Sequence, residues 1–162
     1  MNAVLRAPAP PVRGDSTALA AELASSIDDV PNERGFVAMR TAYRATGGLA
    51  SGDDLGRLLQ DCRFADPVSL AGRLDAGEIF GFDWQHRVWI PMFQFDLRDL
   101  SVKPGPQQVR AELSGGFHGW ALATWFTQRN AWLNHRRPID LLGSELPAVL
   151  EAARADRFLA MG

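Results

Sequence analysis

Residues 78–96, EIFGFDWQHRVWIPMFQFD, are where the chain changes from a helical to an extended texture. Phe80, Phe82 and Trp84 recur at a period of two, Val88, Ile90 and Met92 do the same, and Gln85-His86-Arg87 separates the two runs. Alternating apolar residues around a short polar break predict a β-hairpin, because successive strand side chains point to opposite faces. Pro91 has no N–H to give to a ladder, so it marks an edge position or the end of the second strand.

Upstream of the hairpin the pattern is helical. Leu19, Leu23 and Ile27 fall at i, i+4 and i+8 in residues 16–27, STALAAELASSI, behind a Ser-Thr start, which predicts a short amphipathic helix. A second helix is expected over 34–46, stopped by Gly47-Gly48. Ser51 and Asp54 then stand at capping-box spacing ahead of Leu55, Leu58 and Leu59, with Asp in place of the usual Glu. Asp66-Pro67 repeats the grammar of a helix start and opens VSLAGRLDAG, which Gly77 closes. Helix, turn, helix and hairpin over 53–95 is the outline of a winged helix-turn-helix, whose second helix enters the major groove while the hairpin lies along the backbone. On that reading Ser69, Gly72 and Arg73 lie on the recognition helix and Gln85, His86 and Arg87 at the wing tip. The DNA-binding candidates are Ser69, Arg73 and Arg87.

Downstream, Gly-Pro-rich residues lead to a proline-started helix at about 106–113, stopped by Gly115-Gly116. GWALATWFTQRNAW predicts a helix buried on more than one side, and Leu146, Val149, Leu150 and Ala153 make the narrower stripe of a last helix. Between them WLNHRRPIDLL, residues 132–142, places Trp132, Leu133, Ile139, Leu141 and Leu142 as core on either side of a break. Pro138 enforces that break, because proline disfavours helical geometry in the residue before it. His135, Arg136 and Arg137 are expected on the exposed turn. At the C-terminus Arg154, Arg157, Phe158 and Leu159 mix arginine with large apolar residues, the types enriched at interface anchors. They are expected either to fold back on the core or to meet a partner.

The fold class expected is therefore mainly α with one β-hairpin, a winged-helix-like central unit followed by a small helical unit. The division is a Pro-rich flexible tail over 1–15, a helical region with the hairpin over 16–104, and a C-terminal helical unit over 105–162. With 162 residues, two large domains are excluded, since domains most often run about 100–150 residues. At 46% hydrophobic and 22% charged residues the composition is that of a globular chain and not of a disordered one. No apolar run reaches the roughly 18 residues of a membrane span, and the N-terminus lacks the charge order of a secretory signal, so a cytoplasmic protein is expected. A net charge of −2 argues against a protein that coats nucleic acid, though it leaves room for a local basic patch.

Catalytic and metal chemistry finds little to work with. His86, His118 and His135 are the three histidines, and none pairs with another at HxxxH or HExxH spacing. Cys62, the single cysteine, excludes an intrachain disulfide and reads as a buried structural residue. The glycines of TGGLASGDDLG lack the GxGxxG order, and no Lys-Ser/Thr follows them. Asp28-Asp29 and Asp53-Asp54 are adjacent pairs at helix boundaries, whose side chains diverge. Neither enzyme activity nor a cofactor is expected.

Residues 117–157 resemble the toxin-binding domain shared by Xre, MbcA and ParS-type antitoxins. The resemblance rests on Ala121-Leu-Ala-Thr-Trp125-Phe126, then Asn130, Leu133, Pro138-Ile139-Asp140-Leu141-Leu142, and Val149 ahead of a final helix. The phrase Pro-x-Phe-Gln-Phe that closes the hairpin is similar to a segment in some members, so the likeness covers about residues 77–157. It implies a non-enzymatic antitoxin that neutralises a co-produced toxin by docking helices against it, and leaves repression of its own promoter open. The partner in this family is often a RES-domain toxin that consumes NAD, so that cofactor would belong to the partner. The N-terminal region departs from an Xre-type repressor domain, and GSELP stands where the family has a small-residue turn. Toxin binding is expected of Arg154, Arg157, Phe158 and Leu159. The alternative is a winged-helix transcription regulator whose partner is promoter DNA. Homo-oligomerisation is left open by the sequence.

Overall fold

The computed structural model describes residues 31–62 and 68–162. The Pro-rich tail, the helix expected over 16–27, the Asp28-Asp29 pair and the Asp66-Pro67 helix start lie outside the described residues. Helix α1 (Glu33–Tyr43) begins where the Asn32 side chain accepts the Gly35 N–H at 2.8 Å, and it ends in a 3-10 turn, Arg44–Thr46, followed by Gly47 at φ 105°. Strand β1 (Leu49–Ser51) then runs straight into α2 (Gly52–Asp61). Ser51 caps α2 through Asp54 N–H at 3.2 Å, but its hydroxyl in turn donates to Asp54 Oδ2 at 2.8 Å. The shorter Asp thus binds the cap's side chain where a Glu would reach back to its N–H. Helix α3 (Leu70–Asp75) is only six residues long, starts at the Ser69 cap and stops at Gly77, φ 69°.

Strands β2 (Phe82–Trp84) and β3 (Arg87–Pro91) form the hairpin, joined by Gln85 and His86, both at positive φ (49° and 61°). Two left-handed residues give the loop the twist that the flanking strands need. Arg87 is therefore the first residue of β3 and not part of the loop. The sheet is antiparallel in the order β1-β3-β2, with Ala50 opposite Ile90 and Phe82 opposite Trp89. The two apolar triplets face opposite ways. Phe80, Phe82 and Trp84 join α1 in one cluster, while Ile90 and Met92 pack with Leu55, Ile79 and Phe95 in another. Gly81 has no room for a side chain, since a Cβ there would lie 2.6 Å from Ile90 Cδ1 and 2.9 Å from the Trp89 carbonyl. The order α1-β1-α2-α3-β2-β3 is that of a winged helix, and β1 is the element that the pattern of residues did not show.

After a 3-10 turn at Met92–Gln94 the chain becomes helical again: α4 (Pro104–Leu113), α5 (Gly119–Thr127), α6 (Pro138–Leu141) and α7 (Leu146–Met161). Pro104 and Pro138 both sit in the first turns of their helices, and Arg137 before Pro138 is extended at φ −80°, ψ 135°. The helix of GWALATWF stops at Thr127, so Ala131 is not on it. The expected boundary at 104/105 is not a boundary of the core. Phe36, Met39 and Tyr43 of α1 share one cluster with Val109, Leu122, Phe126 and Val149, and the Tyr43 hydroxyl donates to the Ala123 carbonyl at 2.6 Å. Burial of that hydroxyl raises its pKa well above the ordinary tyrosine value.

Gln94, buried just after the hairpin, holds these parts together. Its Oε1 accepts Phe80 N–H at 2.8 Å, and its Nε2 donates to the Phe80 carbonyl at 2.9 Å and to the Pro91 carbonyl at 3.0 Å. Gln94→Leu leaves those buried backbone groups unpaired, at about 1–3 kcal/mol each. We expect a loss on the order of 2–5 kcal/mol in urea unfolding. A loss below about 1 kcal/mol would show that water reaches Phe80 and that Gln94 is not the anchor.

Candidate functional site

The C-terminal residues do not fold back on the core. Val149, Ala152 and Ala153 are the buried stripe of α7, and Phe158, nine positions past Val149, is turned half a circle away at 100° per residue. Phe158 is 78% exposed, Leu159 59% and Met161 67%. Phe158 and Met161, with the end of α4, border an open hollow lined by Ser114, Arg157, Phe158, Met161 and Gly162. Single exposed apolar residues are ordinary, but three large ones within four positions of one helix end form a patch.

The two arginines of this region are paired. Arg154 Nη2 donates to Glu112 Oε1 on α4 at 2.9 Å, and Arg157 Nη1 lies 3.8 Å from Glu112 Oε2. The hydrogen bond to Glu112 and its charge raise the Arg154 pKa. These side chains fasten α7 to α4 and leave the patch itself apolar, with charge at its rim. Gly116, whose Cβ position would lie 3.4 Å from Ala160 Cβ, lets the turn after α4 meet the end of α7 closely.

A second group of residues was not singled out by the sequence. Asp156 accepts three N–H groups: Trp125 Nε1 at 2.8 Å, Asn130 Nδ2 at 2.6 Å and Trp132 Nε1 at 3.0 Å. Asn130 also accepts Trp132 N–H through Oδ1 at 2.9 Å, which sets the 3-10 turn Ala131–Leu133. Trp132, expected in the core, is instead 61% exposed and held by its indole N–H alone. Leu159 is one turn from Asp156 on the same flank of α7, so the tryptophan extends the apolar surface around the helix end. The donors to Asp156 come from 24 to 31 residues away, a spacing that carries no periodic signal.

Arg136 and Arg137 occupy the exposed turn as expected, but neither is free. Arg136 donates to both oxygens of Glu145 at 2.6 and 2.8 Å, and Arg137 to both oxygens of Asp140 at 2.8 Å. The Arg136 hydrogen bonds, and then its charge, hold the Glu145 carboxyl below its ordinary pKa. Asn134 and His135 are both left-handed (φ 55° and 59°) and bring Arg136 back to pair with Asn130, closing the turn.

The DNA-facing candidates are placed differently from expectation. Arg73 is 4% exposed, its Nη1 lies 3.6 Å from Glu78 Oε2, and its Nε has no partner. Glu78 also donates its backbone N–H to the Arg73 carbonyl at 3.0 Å, so the two residues close the end of α3 together. Ser69 is occupied as the α3 cap, accepting Gly72 N–H at 3.1 Å. The exposed positions of α3 are Ala71 and Asp75. Ser69 and Arg87 are exposed, and Arg87 makes no ion pair among the described residues. Cys62, expected to be buried, is partly exposed, with Sγ 3.7 Å from the Asp99 carbonyl. Among the described residues no three His, Cys, Asp or Glu side chains are grouped to hold a metal ion, and no helix is long and apolar enough to cross a membrane.

No protein-family model, curated protein or solved structure matches the chain.

The Asp156 hub has a measurable consequence. Asp156→Ala strands the N–H groups of the buried Trp125 and Asn130, and hydrogen bonds to a charged group contribute about 1.5–3 kcal/mol each when well screened from water. Because the hub is partly exposed, we expect a loss of about 1–3 kcal/mol in chemical unfolding, with a changed tryptophan emission from Trp132 in the folded state. Unchanged emission and stability would mean that the carboxylate does not hold the turn.

Proposed function

We propose that the protein is an antitoxin-like binding protein that neutralises a co-produced protein toxin in the cytoplasm by docking the end of α7 against it. The observation that carries this reading is the exposed group Phe158, Leu159 and Met161 on a helix otherwise packed into the core. Aromatic and arginine side chains at the edge of an apolar patch are the residues from which interface hot spots are made. Phe158 and Leu159 supply the anchors, while Arg154 and Arg157, tied through Glu112, set the rim. The resemblance of residues 117–157 to Xre, MbcA and ParS-type domains supports the same reading, and it makes an NAD-consuming RES-domain toxin the first partner to try. Neutralisation is steric: the helix end covers the toxin's cleft, so this chain needs neither catalytic group nor cofactor.

Co-expression with the product of the adjacent reading frame tests this directly. The unaltered chain is expected to rescue growth and co-purify with that protein, and Phe158→Asp to weaken binding by about a hundredfold or more, the scale of a lost hot spot. The exposure of Phe158 leaves folding intact in that variant. A harmless neighbour, or a Phe158→Asp chain that protects as well as the unaltered one, ends the proposal.

A second reading, promoter binding, is favoured by the winged-helix order of the elements and by unpaired Arg87 on the hairpin. It requires an affinity for duplex DNA that falls steeply with salt and drops further in Arg87→Ala. Affinity that is absent or indifferent to salt removes it.

A further inference from the structure

No Asp or Glu occurs between Glu33 and Asp53, a stretch that holds Arg34, Arg40 and Arg44 on α1 and the turn that ends it. All three arginines are exposed, and none lies within ion-pair distance of a carboxylate among the described residues. Every other arginine of the described residues except Arg87 and Arg129 meets a carboxylate or, for Arg110, the Gly77 carbonyl. The net charge of −2 is thus an average that conceals a cationic helix. Local electrostatics do not account for it. Arg40 and Arg44 are like charges at i and i+4, which repel, and Arg34 stands in the first turn, at the positive end of the helix dipole. Only the pull of the opposite dipole end on Arg40 and Arg44 works the other way.

The three side chains share one surface. At 3.6 residues and about 5.4 Å per turn, Arg34 and Arg44 stand about 15 Å apart along the axis, and all three lie within about 120° of the circumference. Phe36, Met39 and Tyr43 bury the other side. The remaining exposed residues from Arg34 to Ala45 are Val37, Ala38, Thr41 and Ala45, short side chains that let a broad surface approach the guanidinium groups. The hairpin end lies beside the same helix, since Trp84 stacks on Phe36 at 5.0 Å and stands opposite Arg87 in the ladder. A row of unpaired guanidinium groups fits a row of phosphates, which recur about every 3.4 Å of axis in each strand of a duplex, and arginine binds phosphate with two parallel hydrogen bonds. A protein partner needs an apolar anchor, and Val37 is the one exposed apolar residue on α1 larger than alanine. A single strand needs exposed rings to stack on, whereas Phe36 is buried and Trp84, Trp89 and Trp120 pack against the core.

We propose that the exposed face of α1 binds the phosphate backbone of duplex DNA through Arg34, Arg40 and Arg44, so that the winged unit meets DNA by its first helix and not by its third. The inference rests on the promoter-binding reading, and it supplies the phosphate contacts that the buried Arg73 does not make. It is independent of toxin docking by α7, whose exposed end shares no residue with this face.

The test is fluorescence anisotropy of a labelled DNA duplex of mixed sequence, titrated with the full-length chain over a range of salt concentrations. Loss of three phosphate contacts lowers the slope of log affinity against log salt by about 2–3. The triple change Arg34→Gln, Arg40→Gln, Arg44→Gln is therefore expected to weaken binding at low salt by about tenfold or more. A matched triple change, Arg98→Gln, Arg136→Gln, Arg137→Gln, removes the same charge from arginines already held by carboxylates, and it is expected to keep the slope of the unaltered chain. Circular dichroism checks that each variant is folded. Should the α1 triple variant unfold, Arg44→Gln takes its place, with a slope lowered by about 1. Equal slopes and affinities in the two triple variants overturn the proposal, because net charge then sets the attraction. Binding that falls in Arg87→Ala but not in the α1 variant also overturns it, and leaves the promoter reading standing on the hairpin. Absence of any duplex binding removes both. If the α1 variant loses a protein partner while its duplex affinity is unchanged, the proposal fails and the face belongs to that protein.

Discussion

The arrangement of this protein depends on the side-chain amide of Gln94, which does the work of a strand where no strand can continue. Pro91 ends β3, because it has no N–H for a further rung. The 3-10 turn Met92–Gln94 that follows sends Met92 and Phe95 into the cluster beneath α2 and α3, and Phe93 into the cluster of α1, α5 and α7. Phe80 therefore lies beside a chain that has turned away from it. An amide alone among uncharged side chains offers an acceptor and two donors in one plane, and Gln94 uses all three, on the Phe80 N–H, the Phe80 carbonyl and the Pro91 carbonyl. A carboxylate would lose both donors and bury a charge, and an apolar residue would leave the backbone unpaired. The two cores stay in register through this one residue.

What could be read from the sequence was what local periodicity carries. The hairpin, its two alternating triplets and the glycine stops at 47, 77 and 115 are each settled within a few residues, so each was legible; α4 was expected from about 106 and starts at Pro104, and Pro138 was read as a break where it also opens α6. The strand Leu49–Ser51 was not, because three residues show no period and its partner is β3, some forty positions on. Arg73 was misplaced for a related reason. It was placed on a recognition helix by analogy with the winged outline, whereas α3 has only six residues and buries it. Trp132 was assigned to the core on residue type, and only the distant Asp156 reveals why an indole can be ordered while exposed. Of the proposed docking residues, Phe158 and Leu159 were identified by type, and their exposure follows from the phase of α7 that the stripe of Leu146, Val149, Leu150 and Ala153 sets.

That phase also explains why the patch exists at all. Helix α7 has 16 residues and α4, its principal neighbour, has 10, so α7 is about 9 Å longer at 1.5 Å per residue. The surplus turn meets the Gly115-Gly116 bend instead of a helix face, and glycines have no side chains with which to cover it. Glu112 grips Arg154 and Arg157 just short of this point, which fixes the direction of the final turn without burying it. A helix end that is rigid, oriented and apolar meets a partner with little ordering cost, since its backbone is already set.

The winged-helix order and the burial of Arg73 are compatible once the order is seen as a packing solution. A short sheet with aromatic residues on one side and aliphatic residues on the other needs a cover on both, and α1 with α5 takes the first while α2 with α3 takes the second. Nothing in that requirement asks for phosphate contacts. Arg73, the cation best placed by sequence to make one, is instead buried with Glu78 beside it. A guanidinium held this way costs its own solvation, which the single ion pair at 3.6 Å and the unpartnered Nε offset only in part. The residue type that would read a groove in DNA is here buried beside Glu78.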